Sequence, residues 1–150
     1  MKLIMKLSIA TIIAFSINGC STKPTHLELD IKSSQDLNPD LNNVSSPLML
    51  TFYELESAEK FLKYDYWTIS EQSGKNLEKD LISQSKHVIV PEQGQNYKIV
   101  FDDRTKFLGV VAKFRNIKND SKWKQVINLE QDKYNYSELK IKNFSIEREE

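Results

Sequence analysis

A single cysteine, Cys20, stands in a chain of 150 residues, so no intramolecular disulfide and no cysteine-rich metal cage can form. Four glycines and four prolines exclude a glycine-rich phosphate loop or a long flexible linker. Charge of one sign is missing as well. The 21 Lys+Arg balance 21 Asp+Glu, which removes the basic face that binding nucleic acid requires. The only two histidines, His26 and His87, form no His-x-x-x-His pair, so a zinc site is not expected. No G-x-S-x-G is present, and with it goes the nucleophile elbow. Carboxylates are plentiful, but none sits in an apolar setting that would suit general-acid work, and Asp102-Asp103 reads as a turn pair rather than a calcium site. No catalytic residue, metal or cofactor is expected. What remains, 39% hydrophobic and 28% charged residues, is globular composition at a length that makes one domain.

Against this background the first twenty residues stand apart. Lys2 and Lys6 precede the apolar run from Leu7 to Ile17, which is too short to span a bilayer comfortably. A basic start, a short apolar centre and a small-residue exit describe a secretory signal peptide over residues 1–19. The run closes on Ile17-Asn18-Gly19-Cys20, which resembles the lipobox of bacterial lipoproteins. That resemblance implies diacylglyceryl transfer to the Cys20 sulfur, cleavage before it and acylation of the new amino terminus. Two or more acyl chains hold a protein at a membrane where one does not. Ser21 follows, not Asp, so outer-membrane attachment is the expectation. Residues 20–25 then form the acylated cysteine and a tether, about 17 Å long from Ser21 to Thr25 when extended.

The mature chain reads as mainly β, a β-sandwich over residues 26–146 with a short helical insertion after the second strand, at about 56–85. From His26 to Lys32 apolar and polar residues alternate strictly, the signature of a half-buried strand. Leu48 to Leu55 is apolar on both faces, which predicts a central strand. Beyond it the β pattern breaks. Ser57 is placed to cap a helix through Ala58, Phe61 and Leu62, and Leu77, Leu81 and Ile82 predict a second helix within Lys75–Gln84. Strands are expected again over Lys86–Val90, Asn96–Asp102, Phe107–Arg115, Trp123–Leu129 and Leu139–Ile146, separated by turn-type residues. In the last of these Phe144 and Ile146 fall out of phase with Leu139 and Ile141, which predicts a bulge near Lys142-Asn143. Residues 147–150 read as a solvated tail.

The connection from Ser33 to Pro47 is the best functional candidate. It is long for a compact domain, and such loops are disproportionately functional. Within this polar stretch Leu37, Pro39, Leu41 and Val44 are apolar, which suits docking to another protein if they are exposed, or plugging the end of the sandwich if they are not.

Taken together, these segments resemble the TssJ (VasD/Lip) lipoproteins of type VI secretion systems. The resemblance rests on the lipobox, on Leu37-Asn38-Pro39, on Ser46-Pro47 leading into an apolar strand that ends Tyr53-Glu54-Leu55, and on Phe61, Asp65 and Tyr66-Trp67. It continues through Asp80-Leu81, the strand Gly109 to Asn116, and Trp123-Lys124. Asn43 stands where a Gly often occurs, and Lys124 where Arg is usual. The resemblance implies a transthyretin-like β-sandwich without catalysis, on the inner leaflet of the outer membrane. It implies binding to the periplasmic C-terminal region of a TssM-like inner-membrane protein, and through it association with a TssL-like protein. The family's partner-binding loop maps onto Asp36, Leu37, Asn38, Pro39, Asp40, Leu41, Asn42, Asn43, Val44 and Ser45. From another class comes the alternative of a periplasmic lipoprotein that binds a small ligand or modifies envelope polymers, which a pocket with convergent polar groups would favour.

Overall fold

Alternation along His26–Ser33 (β1) puts Leu27, Leu29 and Ile31 on one face, and all three are fully buried in a computed structural model that describes residues 23–71, 74–117 and 121–149. The signal segment and Cys20 lie outside the described residues. Seven more strands follow: β2 (Leu48–Leu55), β3 (Leu81–Ile89), β4 (Gly94–Val100), β5 (Phe107–Lys113), β6 (Lys124–Asn128), β7 (Tyr134–Lys142) and β8 (Ser145–Glu149). They form two four-stranded sheets, ordered β4-β1-β7-β8 and β3-β2-β5-β6. Every pairing is antiparallel except that of β1 with β7.

The core fills the space between the sheets, with Leu29, Leu50, Val110, Ile127, Leu139 and Ile146 at its centre. A second apolar cluster lies on the outer face of the β2 sheet, where Tyr53, Leu55 and Val111 meet Phe61, Ile69 and Leu77 of the insertion. This explains why β2 is apolar on both faces: the opposite sheet covers one and the insertion covers the other. As expected, β2 is central.

The insertion holds two short helices, α1 (Glu59–Lys63) and α2 (Tyr66–Glu71), followed by a 3₁₀ helix over Lys75–Asp80. Ser57 Oγ accepts the Glu59 amide at 3.3 Å, and Asp65 Oδ1 accepts the Thr68 amide at 2.8 Å to start α2. The Lys124 ammonium donates to the carbonyls of Phe61, Leu62 and Tyr64 at 2.8, 2.8 and 2.7 Å, tying β6 to the end of α1. Its burial there holds the ammonium pKa below the usual lysine value.

The structure differs from the sequence reading at four places. The helix expected over Lys75–Gln84 stops at Asp80, because Leu81 pairs with Leu55 across a register shift and begins β3 five residues ahead of Lys86. The expected last strand with a bulge is a hairpin. Asn143 adopts a φ of 48°, the chain reverses, and Ile141 pairs with Ile146, so the phase change marks a turn. Glu147 to Glu149, read as a tail, form the end of β8, and β7 begins at Tyr134 inside the stretch expected as a turn.

Candidate functional site

Between β1 and β2 the chain is fastened at its root and free at its tip. Leu37 is fully buried within the main core. Asn38 beside it is buried, and its amide and both side-chain polar atoms are bonded. Its amide donates to Asn143 O at 2.9 Å, its Nδ2 donates to Pro47 O at 3.1 Å, and its Oδ1 accepts the Arg115 amide at 2.8 Å. The Ser46 amide closes the neck by donating to Leu37 O at 3.0 Å.

Above that neck Asp40 organises the tip. Its Oδ1 accepts the amides of Asn42 and Val44 at 2.8 and 2.9 Å, an Asx turn extended by one further bond. The Asp40 amide donates to Val44 O at 2.9 Å, and the Asn43 amide donates to Asp40 O at 3.0 Å. Asn43 has a φ of 60°, a left-handed conformation that asparagine tolerates better than most side chains, so the turn forms without a glycine. Leu41 is left at the apex with its side chain wholly in solvent, and Val44 is 59% exposed. A hollow of about 640 Å³ lies beside the tip, bounded by Pro39, Leu41 and Asn43 on one side and by Arg115, Asn116 and Phe144 on the other.

The ten loop residues singled out from the sequence thus divide. Leu37 and Asn38 face inward, one in the core and the other in the neck, and fasten the loop. Asp36, Asn42, Asn43, Leu41 and Val44 are exposed, and Pro39, Asp40 and Ser45 are partly so. Arg115, Asn116 and Phe144 join them from the β5–β6 connection and the β7–β8 turn, which sequence reading missed. The out-of-phase Phe144 was the signal available for one of them.

Elsewhere the described residues hold no group of three or more His, Cys, Asp or Glu side chains arranged for a metal. His26 lies at the start of β1, its Nδ1 2.6 Å from Pro24 O, and His87 packs against Phe52 with ring centroids 4.4 Å apart. The Arg104 guanidinium binds both Asp102 oxygens, at 2.9 and 3.2 Å, and holds that carboxyl below its ordinary pKa.

The family model described as type VI secretion lipoprotein, VasD, EvfM, TssJ matches residues 25–143. No protein of curated function matches the sequence. Among solved structures, the T6SS lipoprotein TssJ1 from Pseudomonas aeruginosa superposes with a TM-score of 0.78 at 24% identity, covering 84% of this chain and 95% of that one. Lip from Serratia marcescens, a membrane-bound component of the type VI secretion system, gives 0.76 at 14% identity over 85% and 99%. A chain from the structure of the T6SS protein TssM C-terminal domain from EAEC gives 0.71 at 21% identity over 84% and 98%. At these identities the likeness establishes a shared β-sandwich fold.

Proposed function

The chain belongs to the type VI secretion lipoprotein family, and from that premise we propose that it anchors a trans-envelope complex by docking the periplasmic C-terminal region of a TssM-like inner-membrane protein. In this reading Cys20 carries acyl chains in the inner leaflet of the outer membrane, and a TssL-like protein joins through the partner. The role is one of binding rather than catalysis.

The preorganised loop tip is the observation that carries the reading. Docking an unstructured loop loses the entropy of ordering each residue, roughly 1–2 kcal/mol for the backbone. Here Asp40 and Asn38 hold the loop in one shape beforehand, and Leu41 stands in water, uncovered by any of the described residues. Burying that side chain in a partner's socket is worth about 1.5–3 kcal/mol. The flanking hollow, with the exposed Arg115 at its rim, adds a polar border of the kind that surrounds apolar anchors in interfaces.

Strands β1 to β8 enclose their own core, so residues 21–150 are the unit for the test. Calorimetric titration of that unit with the periplasmic C-terminal domain of the cognate TssM-like protein is expected to show saturable one-to-one binding. Leu41→Asp with Val44→Ser is expected to weaken it by about tenfold or more, with the melting temperature unchanged. Wild-type affinity in that double variant would remove the loop from the interface. No binding by two folded proteins would remove the docking role itself.

A further inference from the structure

The sandwich is open at one corner. β4 ends the first sheet and β3 ends the second, and residues of both strands line a cleft between them. Near the connection that joins the two strands the corner is sealed: Gln95 Nε2 donates to Val88 O at 3.1 Å and Ser33 Oγ donates to Val90 O at 2.7 Å. Further along, the rings of Phe52, His87 and Tyr97 pack together with centroids 4.4, 5.3 and 4.8 Å apart. Past these rings a cleft of about 330 Å³ opens, walled by Ile99, Phe101 and Leu108. Glu54 lies at its side, with one carboxylate oxygen accepting from Ser83 Oγ at 2.7 Å and the other from Thr105 Oγ1 at 3.0 Å.

Both lips of the cleft are unpaired strand edges. The Ala112 amide bonds to Trp123 O, which fixes the alternation through β5 and β2 and turns the backbone groups of Gln84 and Lys86 away from β2. The Phe101 amide bonds to Thr25 O, and the same alternation turns those of Asn96, Lys98 and Val100 away from β1. Lys86 and Lys98 are exposed, one on each lip; among the described residues neither has a carboxylate within salt-bridge distance, and Glu28 faces Lys98 across β1 and β4.

We propose that this corner binds an extended acidic polypeptide segment, which adds a strand to the β4 edge and seats one aromatic side chain in the cleft. Strand addition draws affinity from main-chain bonds and specificity from pockets for alternate side chains. The cleft is small for a drug-sized molecule and ample for a single indole or phenol. Each Glu54 oxygen retains a lone pair for the ring's N–H or O–H. Burial holds the His87 imidazole below its ordinary pKa, so the inner wall stays uncharged at neutral pH. Lys98 selects the occupant. In the antiparallel register centred on Lys98 a second copy would bring two ammonium groups together, whereas a glutamate on the outward face of an added strand would meet that ammonium group. The corner is formed by strands and side chains distinct from the 36–45 loop, so the inference does not rest on docking at that loop.

The probe is an acetylated peptide of alternating glutamate and threonine around one central tryptophan, added to the full chain in detergent. Fluorescence anisotropy reads affinity, and hydrogen exchange reads location. Exchange is expected to slow at the amides of Asn96, Lys98 and Val100. Affinity is expected to fall about tenfold or more on N-methylation of alternate peptide amides, on Lys98→Glu, and on Ser85→Phe, which fills the cleft from its rim. Leu41→Asp is expected to leave it unchanged. N-methylation alters only the peptide, so equal binding by the methylated peptide would overturn the proposal whatever the variants do. Protection confined to the 36–45 loop, peptide-independent protection of the same amides through self-association, or no binding at millimolar peptide would each overturn it as well.

Discussion

Asn38 shows how much one side chain can fix. It sits at a φ of 45°, is buried, and bridges three segments that are distant in sequence: Pro47, Arg115 and Asn143. Truncation to alanine strands the Arg115 amide and the Pro47 carbonyl, at about 1–3 kcal/mol for a buried group left unpaired. It also places a Cβ without local hydrogen bonds in the left-handed region, for roughly 1–2 kcal/mol more. Asn38→Ala is therefore expected to lower the unfolding free energy by about 2–4 kcal/mol. Asn38→Gly, relieved of the backbone term, is expected to be about 1 kcal/mol more stable than the alanine variant, as read by urea unfolding of residues 21–150. Equal stability of the two would show that backbone conformation contributes nothing here, and wild-type stability in both would show that the bridge is dispensable. The sequence marks Leu37-Asn38-Pro39 as turn chemistry. It does not reveal that Asn38 faces inward, because the groups that hold it come from chain segments that only folding brings near.

At the scale of elements, the insertion depends on a close approach at Gly109. A Cβ built there would lie 2.8 Å from the Phe61 ring and 3.1 Å from Leu55 Cδ1, so the glycine gives Phe61 its seat on the outer face of the β2 sheet. Gly109→Ala is expected to cost about 1–3 kcal/mol through overpacking. Protease cleavage should rise within α1 and α2 while the strands keep their protection. Phe61→Leu creates space, and the double variant is expected to be more stable than the sum of the two single changes, since the residues touch. Additive losses would mean that the strain is relieved elsewhere. The same packing decides which elements could be read from sequence. β1 and β2 were legible because alternation, or its absence, reports directly which faces are covered. The 3₁₀ helix was not, since Leu77 and Leu81 satisfy a helical spacing while tertiary pairing with Leu55 draws Leu81 into β3. The final hairpin was hidden for a similar reason. A phase change in an alternating pattern accompanies a bulge or a reversal alike, and only the pairing of Ile141 with Ile146 separates them.

Across the whole molecule, the start of the described chain and the loop lie at opposite ends of β1. The described chain enters at Lys23, β1 runs from His26 to Ser33, and the loop follows. Eight residues at about 3.3 Å each put roughly 26 Å between the N-terminal end of that strand and the root of the loop. An acyl anchor on Cys20 would therefore aim the loop tip away from the outer membrane, toward a partner rooted in the inner one. Anchor and docking site should then be separable. Cys20→Ser is expected to move the protein out of the outer-membrane fraction while the variant binds the partner's periplasmic domain in solution as tightly as residues 21–150 do. Assembly in the cell should nonetheless fail, because confinement at a surface raises effective concentration, and avidity of this kind reaches about 10²–10⁴-fold. Co-purification of the partner with outer-membrane fragments is expected to drop by at least about tenfold on that basis. Retention of the serine variant in the outer membrane would show that something other than acylation holds it there. Normal partner recovery from a soluble variant would show that docking alone, without the membrane, brings the two together.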